Sequence, residues 1–283
     1  MVLKLIWDLL QKISILFSNL EDGFLRLLTM TIPPKQSFTW ILPLAVALVF
    51  SSCNKHEHDP EPTNGALMFH IHTMADTNEV EDYGTEYTLT GGRKIKIDQA
   101  QLYISEIELI KPDGSFFPVS GRVIFKKLES EEYEIGEVPI GSYKTIRFKV
   151  GLNPTLNAST PLASDTVLNQ PSMWFGTSSQ PDGYVFANFK GSIDTSVSVN
   201  GAALTRFEFR IGTSAHFQTV TLPDQEFSVS KSGGVVHFEI DYARLLKNVN
   251  LKEPLFVTDK SDNSSGLAGT VALNILDLFG YHN

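Results

Sequence analysis

The sequence lacks several features that would have pointed to common functions. It has a single cysteine among 283 residues, which excludes an internal disulfide framework and a zinc ribbon. Its 23 Lys and Arg are outnumbered by 32 Asp and Glu and form no basic block, so we expect no nucleic-acid partner. It has no G-x-S-x-G elbow, P-loop, H-E-x-x-H motif or dinucleotide fingerprint. We therefore expect that the protein is not an enzyme.

The apolar run at residues 38–50 is too short to cross a bilayer comfortably and is typical of the central part of a signal peptide. Lys35 precedes the run, and Ser51, Ser52 and Cys53 follow it. Small residues before a cysteine resemble a lipobox, in which the cysteine is lipidated and becomes the first residue of the mature protein. The alternative is a free cysteine after a membrane anchor. We favour lipidation of Cys53.

This reading predicts the location of the protein. Residues 1–52 are interpreted as a signal segment; residues 1–29 are either an amphipathic segment or lie before a true start at Met30, which we favour. Residues 53–64 would be the lipidated cysteine and a flexible tether, since they are polar, acidic and contain proline. We therefore expect a lipid-anchored protein of the cell envelope, on the outer membrane and facing either the periplasm or the surface.

The rest of the chain is typical of a β-rich domain. Short β-branched and aromatic runs recur between turn signals, which predicts strands at 66–74, 93–97, 100–110, 122–128, 143–151, 183–192, 203–211, 217–222 and 234–241. We expect one all-β domain over residues 65–283, mainly an antiparallel, immunoglobulin-like β-sandwich. Two short helices are predicted, one at residues 242–246 and a C-terminal one at 267–279, with Ser264 or Ser265 as its N-cap.

The first predicted strand carries a pattern that suits a metal ion. Side chains alternate along a strand, so Met68, His70, His72 and Met74 share one face. Thioether sulfur and neutral imidazole are ligand types that suit copper, especially Cu(I). Alternatively, the two methionines fill the core and the histidine pair is a partly exposed strand face. A metal site here requires ligands from a second strand.

The remaining histidines carry weaker signals. His56 and His58 lie in the tether, where a solvated spacer competes with weak metal binding. His216 follows a predicted loop and is a candidate to approach the metal site, together with Met173 and the adjacent indole at position 174. His237 alternates with Val235 and Glu239, which predicts an ordinary position in the sandwich. His282 lies next to the C-terminus.

Several segments in a fixed order resemble a known family. They are residues 103–105, 138–143, 148–151, Met173 with Trp174, 183–186, Gly191, Ile211 with Gly212, Ile240 with Asp241, and 273–279. In this order they are similar to the methanobactin-associated copper-binding (MbnP-like) domain of bacterial envelope lipoproteins, over about residues 66–281.

The resemblance implies a β-sandwich that handles copper outside the cytoplasm, held in family members by histidines and an oxidised tryptophan. Trp174 matches that tryptophan. Two positions depart from the pattern: Phe175 and Gly176 follow the tryptophan where a second tryptophan or a histidine is common, and Arg210 replaces a histidine. Either His70 and His72 substitute for the missing ligands, or the site is lost.

These observations lead to a predicted function and an alternative. The first is a lipid-anchored carrier or scavenger that binds copper without turnover, through a Met/His strand face that meets Trp174, with a copper-handling partner protein. The alternative is a surface module for glycans or protein partners, in which aromatic side chains form a stacking platform: Phe116, Phe117, Trp174, Phe175 and Tyr184. A hydrolase would need a deep pocket with an acid/base pair, and the sequence names none.

Overall fold

The computed structural model describes residues 63–176, 183–199, 201 and 204–282. The signal segment, the tether, Cys53, His56 and His58 lie outside the described residues, so their roles stay predictions. Within the part of the chain that the structure describes, no helix is long and apolar enough to cross a membrane.

Strand is the most common secondary structure of the described chain, and the strands form two main sheets. The smaller sheet has five strands: β1 (Asn64–Ala75), β2 (Asn78–Glu79), β7 (Glu132–Pro139), β14 (Gly234–Asp241) and β16 (Phe279–Tyr281). The larger sheet has nine: β3 (Glu86–Thr88), β4 (Lys94–Ile110), β5 (Phe116–Pro118), β6 (Ile124–Lys126), β9 (Thr145–Val150), β10 (Val185–Asp194), β11 (Leu204–Gly212), β12 (Gln218–Thr221) and β15 (Phe256–Val257). A separate pair joins β8 (Gly141–Tyr143) to β13 (Phe227–Val229).

The core lies between the two main sheets. Along β1, Leu67, Phe69 and Ile71 are fully buried, and the residues between them are only partly covered. The Phe69 ring contacts Phe238 of β14 at a centroid distance of 5.3 Å, and Phe238 reaches Phe148 of the larger sheet at 6.2 Å. Alternation along the strand therefore leaves the even-numbered residues of β1 on the outer face of the smaller sheet. The predicted all-β sandwich is confirmed.

The pairing pattern is not purely antiparallel. In the smaller sheet, β1 pairs with β14 in parallel and with β7 and β2 in antiparallel orientation. In the larger sheet, β4 is one continuous strand where the sequence predicted two, and it is irregular between Ser105 and Glu108. Glu106 in this irregularity has a φ of 49°, typical of the left-handed conformation found in β-bulges.

Glycine is required at position 191 of β10, where the strand lies against β4. A Cβ atom on Gly191 would lie 2.0 Å from the carbonyl oxygen of Lys96 and 2.8 Å from the Phe207 ring. Both distances are too short for any side chain, so the strand pair closes only around a bare Cα.

The helices are short. The predicted helix at Tyr242–Leu246 is a 3-10 helix, and the C-terminal helix α2 is present at Gly266–Asn274. Ser265 caps α2 by accepting from the backbone N–H of Ala268 at 3.2 Å. The predicted end at residue 279 is wrong, because the chain turns through a 3-10 helix at Ile275–Asp277 into β16. The others are α1 (Pro154–Asn157) and 3-10 helices at Pro171–Met173, Ser214–His216 and Ser261–Ser264.

Candidate metal centre

The parallel pairing of β1 with β14 brings two distant histidines together. In this register His70 stands beside His237, and His72 stands beside Glu239. The rings of His70 and His237 stack at a centroid distance of 4.9 Å, and those of His70 and His72 lie 4.6 Å apart. The outer face of the smaller sheet therefore presents three neighbouring imidazoles.

A fourth imidazole comes from the chain end. Strand β16 pairs antiparallel with β14, and His282 follows it directly. The backbone N–H of His282 donates to the carbonyl oxygen of His237 at 3.4 Å, which fixes its position. Its ring stacks on His72 at a centroid distance of 3.9 Å. We call these four residues the histidine cluster: His70, His72, His237 and His282.

The spacing of the cluster suits one metal ion. His70, His72 and His237 each offer a ligand atom, and these atoms all lie within 4.8 Å of one another. Two nitrogens bound to the same ion at about 2.1 Å each cannot be more than about 4.2 Å apart. Small rotations of the rings would close the remaining gap. The side chains of His70 and His72 are 23% and 14% exposed, so an ion at this position would be half-covered yet reachable from solvent.

Three carboxylates contact the cluster. The Nδ1 atom of His72 lies 2.6 Å from Oε1 of Glu79, and the Nε2 atom of His70 lies 3.3 Å from Oε2 of Glu131. Glu79 and Glu131 also lie close enough to His72 to form a second possible ligand group with it. The third carboxylate, Glu239, lies 3.2 Å from Nδ1 of the fourth imidazole. The cluster is therefore surrounded by negative charge.

Glu131 follows a loop segment whose backbone carbonyl oxygens accept hydrogen bonds from a buried lysine. The Lys126 ammonium is fully buried and donates to the carbonyl oxygens of Lys127 and Ser130, both at 2.9 Å. Burial lowers the pKa of Lys126 to about 8, an effect partly offset by Glu131. The backbone N–H of Ile71 then donates to the carbonyl oxygen of Glu131 at 2.8 Å, which ties the loop to β1.

The two methionines of β1 lie on the same side of the strand as the histidines. The register sets Met68 beside Val235 and Met74 beside Asp241, so they flank the histidines at the two ends of the row. Met74 is only 8% exposed, whereas Met68 is half-buried.

The structure does not bring the indole to the histidines. Trp174 forms a bridge with Tyr184, and their rings meet edge-on at 4.7 Å. Together with Met173 they belong to a second apolar cluster, built on the larger sheet. His216 is buried as well, and its Nε2 lies 2.8 Å from the carbonyl oxygen of Asn263. The histidine cluster faces away from the larger sheet, so the expected meeting of Trp174, Met173 and His216 with His70 does not occur.

A positively charged side chain, that of Arg210, contacts the backbone of Trp174. Nη2 of Arg210 donates to the carbonyl oxygen of Trp174 at 2.7 Å, and the guanidinium lies 5.0 Å from the centre of the Phe175 ring. Burial lowers the pKa of Arg210, yet its usual value is so high that the side chain stays protonated at neutral pH. A cation at Trp174 would therefore meet a cationic neighbour.

The aromatic side chains of the predicted platform do not lie together on one surface. Tyr184 is fully buried, and Trp174 and Phe175 pack in the second apolar cluster. Phe116 is 51% exposed on β5, where Arg147 lies over its ring at 5.5 Å. Phe117 packs instead against the main core.

Sequence reasoning missed two members of the histidine cluster. His237 was predicted to hold an ordinary sandwich position; it does lie on strand β14, but its neighbour across the strand pair is His70, which the sequence did not indicate. The alternation of His237 with Val235 and Glu239 did place it on one face with them. What the sequence does not signal is the parallel pairing of two strands more than 160 residues apart, and without it the two histidines cannot be joined.

Fold and site together define a β-sandwich protein with an imidazole-rich candidate metal centre on an outer sheet face. The family model MbnP matches residues 64–264, well over half of the chain. The chain belongs to the MbnP family. Among solved structures it is similar to MbnP from Methylosinus trichosporium, at 13% identity and a TM-score of 0.43, covering 70% of this chain and 83% of that one. No curated protein matches.

Proposed function

We propose that this chain is a lipid-anchored cell-envelope protein that binds copper at the histidine cluster and acts as a carrier or scavenger, without turnover. The observation that carries the proposal is the register of β1 against β14. It places three imidazole ligand atoms within 4.8 Å of one another on one sheet face. Membership of the MbnP family supports a role in copper handling.

The chemistry of the donors supports copper. Imidazole suits copper, zinc, iron and nickel, and among divalent first-row ions copper binds a given set of ligands most tightly. Stacking with the neighbouring rings and half-burial restrict His70 and His72, so less side-chain entropy is lost when an ion binds. A cluster that solvent can reach is suited to the uptake and transfer of an ion.

A lipid on Cys53 would keep the metal centre near the membrane. The segment from Cys53 to β1 has about eleven residues, which span at most about 40 Å when fully extended. The domain could then meet a membrane-bound partner that handles copper while remaining anchored. Mass spectrometry of the protein purified from membranes would test the lipid, because diacylation of Cys53 adds a defined mass that Cys53→Ala removes.

A retention experiment tests the metal centre. The purified domain from residue 54 onward would be loaded with copper, dialysed, and analysed for bound metal beside the double variant His70→Ala/His72→Ala. We expect about one equivalent in the wild type and a clear loss in the variant. Trp174→Phe is the matched control, and it should retain copper like the wild type. Equal retention in the wild type and the double variant would refute the assignment.

A further inference from the structure

Each of three histidines in the cluster has a carboxylate of its own. His72 is held by Glu79 of β2, His70 by Glu131 of the loop before β7, and His282 by Glu239 of β14. The carboxylates thus come from three separate elements. Acidic residues scattered at random over a surface would not be expected to give each of these rings one carboxylate partner.

We propose that Glu79 and Glu239 are positioning residues of the copper centre, which fix the protonated nitrogen of His72 and of His282, and that together with Glu131 they make the centre favour Cu(II) over Cu(I). This inference rests on the proposed function, because it concerns the same site. It assigns the oxidation state of the cargo, which neither the fold nor the family membership decides.

The hydrogen bonds determine which ring nitrogen remains free. A carboxylate accepts, so the ring nitrogen that faces it must carry the proton. In His72 the Nδ1–H donates to Glu79 at 2.6 Å, a short bond strengthened by the charge of the carboxylate, and Nε2 keeps its lone pair. In His282 the Nδ1–H donates to Glu239 at 3.2 Å, which leaves Nε2 free. The Nε2 atom of His70 lies 3.3 Å from Oε2 of Glu131 as an ion-pair contact, which does not set the tautomer of that ring. An ion would then meet rings whose tautomers are already set.

The backbone holds the carboxylates before any ion arrives. Glu79 pairs with Met74 at the end of β1. In strand β14, Glu239 pairs with His72 of β1 on one side and with Gly280 of β16 on the other. Glu131 is tied to β1 through its carbonyl oxygen. Because the three side chains start from fixed strands and a fixed loop, little reorganisation is needed when copper binds.

The charge of these groups should favour the divalent ion. Neutral imidazoles leave the full charge of the ion uncompensated, and nearby carboxylates stabilise Cu(II) more than Cu(I) because the attraction grows with the charge of the ion. Solvent screens part of this effect, since the side chains of Glu79 and Glu131 are 43% and 41% exposed. Glu239, at 23% exposed, should contribute most per group.

The first test needs no copper. Long-range nitrogen–proton NMR of the metal-free protein distinguishes the two tautomers of each histidine ring. We expect His72 and His282 to carry their protons on Nδ1, and we expect Glu79→Ala to release the preference of His72 alone. A wild-type His72 protonated on Nε2, or a preference that Glu79→Ala leaves unchanged, would overturn the positioning role.

The second test measures the reduction potential of bound copper. In the double variant Glu79→Gln/Glu239→Gln we expect a higher potential and Cu(II) affinity weakened by about tenfold or more, with a smaller change for Cu(I). Glu134→Gln is the matched control, because Glu134 is exposed on the same face beside Met68 and should leave the potential unchanged. Circular dichroism would verify that both variants fold.

Three outcomes would overturn the inference. One is an unchanged potential in the double variant. Another is an equal shift in the Glu134→Gln control, which would reduce the effect to general surface charge. The third is two copper ions bound by the wild type and one by the double variant, which would make the carboxylates ligands of a second ion. A wild type that binds no copper would instead refute the proposed function, and the NMR result would still decide the tautomers.

Discussion

The buried lysine near the histidine cluster should make the stability of the domain rise with pH. Burial lowers the pKa of Lys126 from 10.5 to about 8, whereas the unfolded chain keeps the ordinary value. Between these two values the unfolded state binds more protons than the folded state, so the free energy of unfolding increases as the pH rises. From pH 7 to pH 9.5 the linkage relation gives a gain of about 2 kcal/mol.

Urea denaturation across this pH range would measure the effect, by comparing the wild type with Lys126→Met. The other titrating groups are shared by both proteins, so the difference between their free energies of unfolding isolates Lys126. We expect this difference to shift by about 2 kcal/mol in favour of the wild type between pH 7 and pH 9.5. Lys252→Met, at an exposed position, is the control and should show no such trend. If the difference in free energy of unfolding between the wild type and Lys126→Met did not change with pH, the reasoning would be refuted.

Three further predictions concern the site and the core. His237→Ala should weaken copper binding at least about tenfold in a chelator competition, although the residue lies far from His70 in sequence; unchanged affinity would exclude it as a ligand. Gly191→Ala should cost about 2–4 kcal/mol in urea denaturation, because its Cβ would lie 2.0 Å from a carbonyl oxygen; a loss below about 1 kcal/mol would show that the strands can separate. Phe238→Ala should cost about 3–5 kcal/mol, since its buried ring joins the two sheets; a milder loss would mean that the core collapses around it.

Strand identity was predictable wherever the local pattern was strong. The strand at 234–241 was predicted with its observed bounds, because β-branched and aromatic residues alternate there with polar ones. Strand β7 was missed, because five of its eight residues are glutamate, glycine or proline, which are rare in strands. Only its tyrosine, isoleucine and valine are typical strand residues. Pairing with β1 overrides these weak propensities.

The C-terminus shows the same limit of local reasoning. A helix over 267–279 was favoured because apolar residues continue to recur at helical spacing. The structure ends the helix at Asn274, whose side-chain amide donates to the carbonyl oxygens of Leu245 and Lys247. Phe279 then pairs with Ile240 at the edge of β14. That tertiary pairing is what places His282 at the cluster, and the local sequence does not carry it.

The site was half predictable for a related reason. Alternation within β1 correctly placed His70 and His72 on one face, because a period of two needs only neighbouring residues. Their partners depend on which strands lie beside β1 and in which direction, and several pairings bury the same apolar residues. A parallel neighbour was the less expected choice in a sheet otherwise built from antiparallel pairs.

Electrostatics gives a physical reason to place copper at the histidine cluster and not at Trp174. Repulsion between two unit charges about 5 Å apart amounts to about 3 kcal/mol at an effective dielectric constant near 20, or about a hundredfold in affinity. The Arg210 guanidinium donates to the backbone carbonyl oxygen of Trp174, and it would impose a cost of this size on an ion held about 5 Å away from it. At the histidine cluster the nearest charges are those of Glu79, Glu131 and Glu239, and their sign is reversed. The same fold therefore offers a cation one repulsive and one attractive location, and the attractive one also holds the imidazoles.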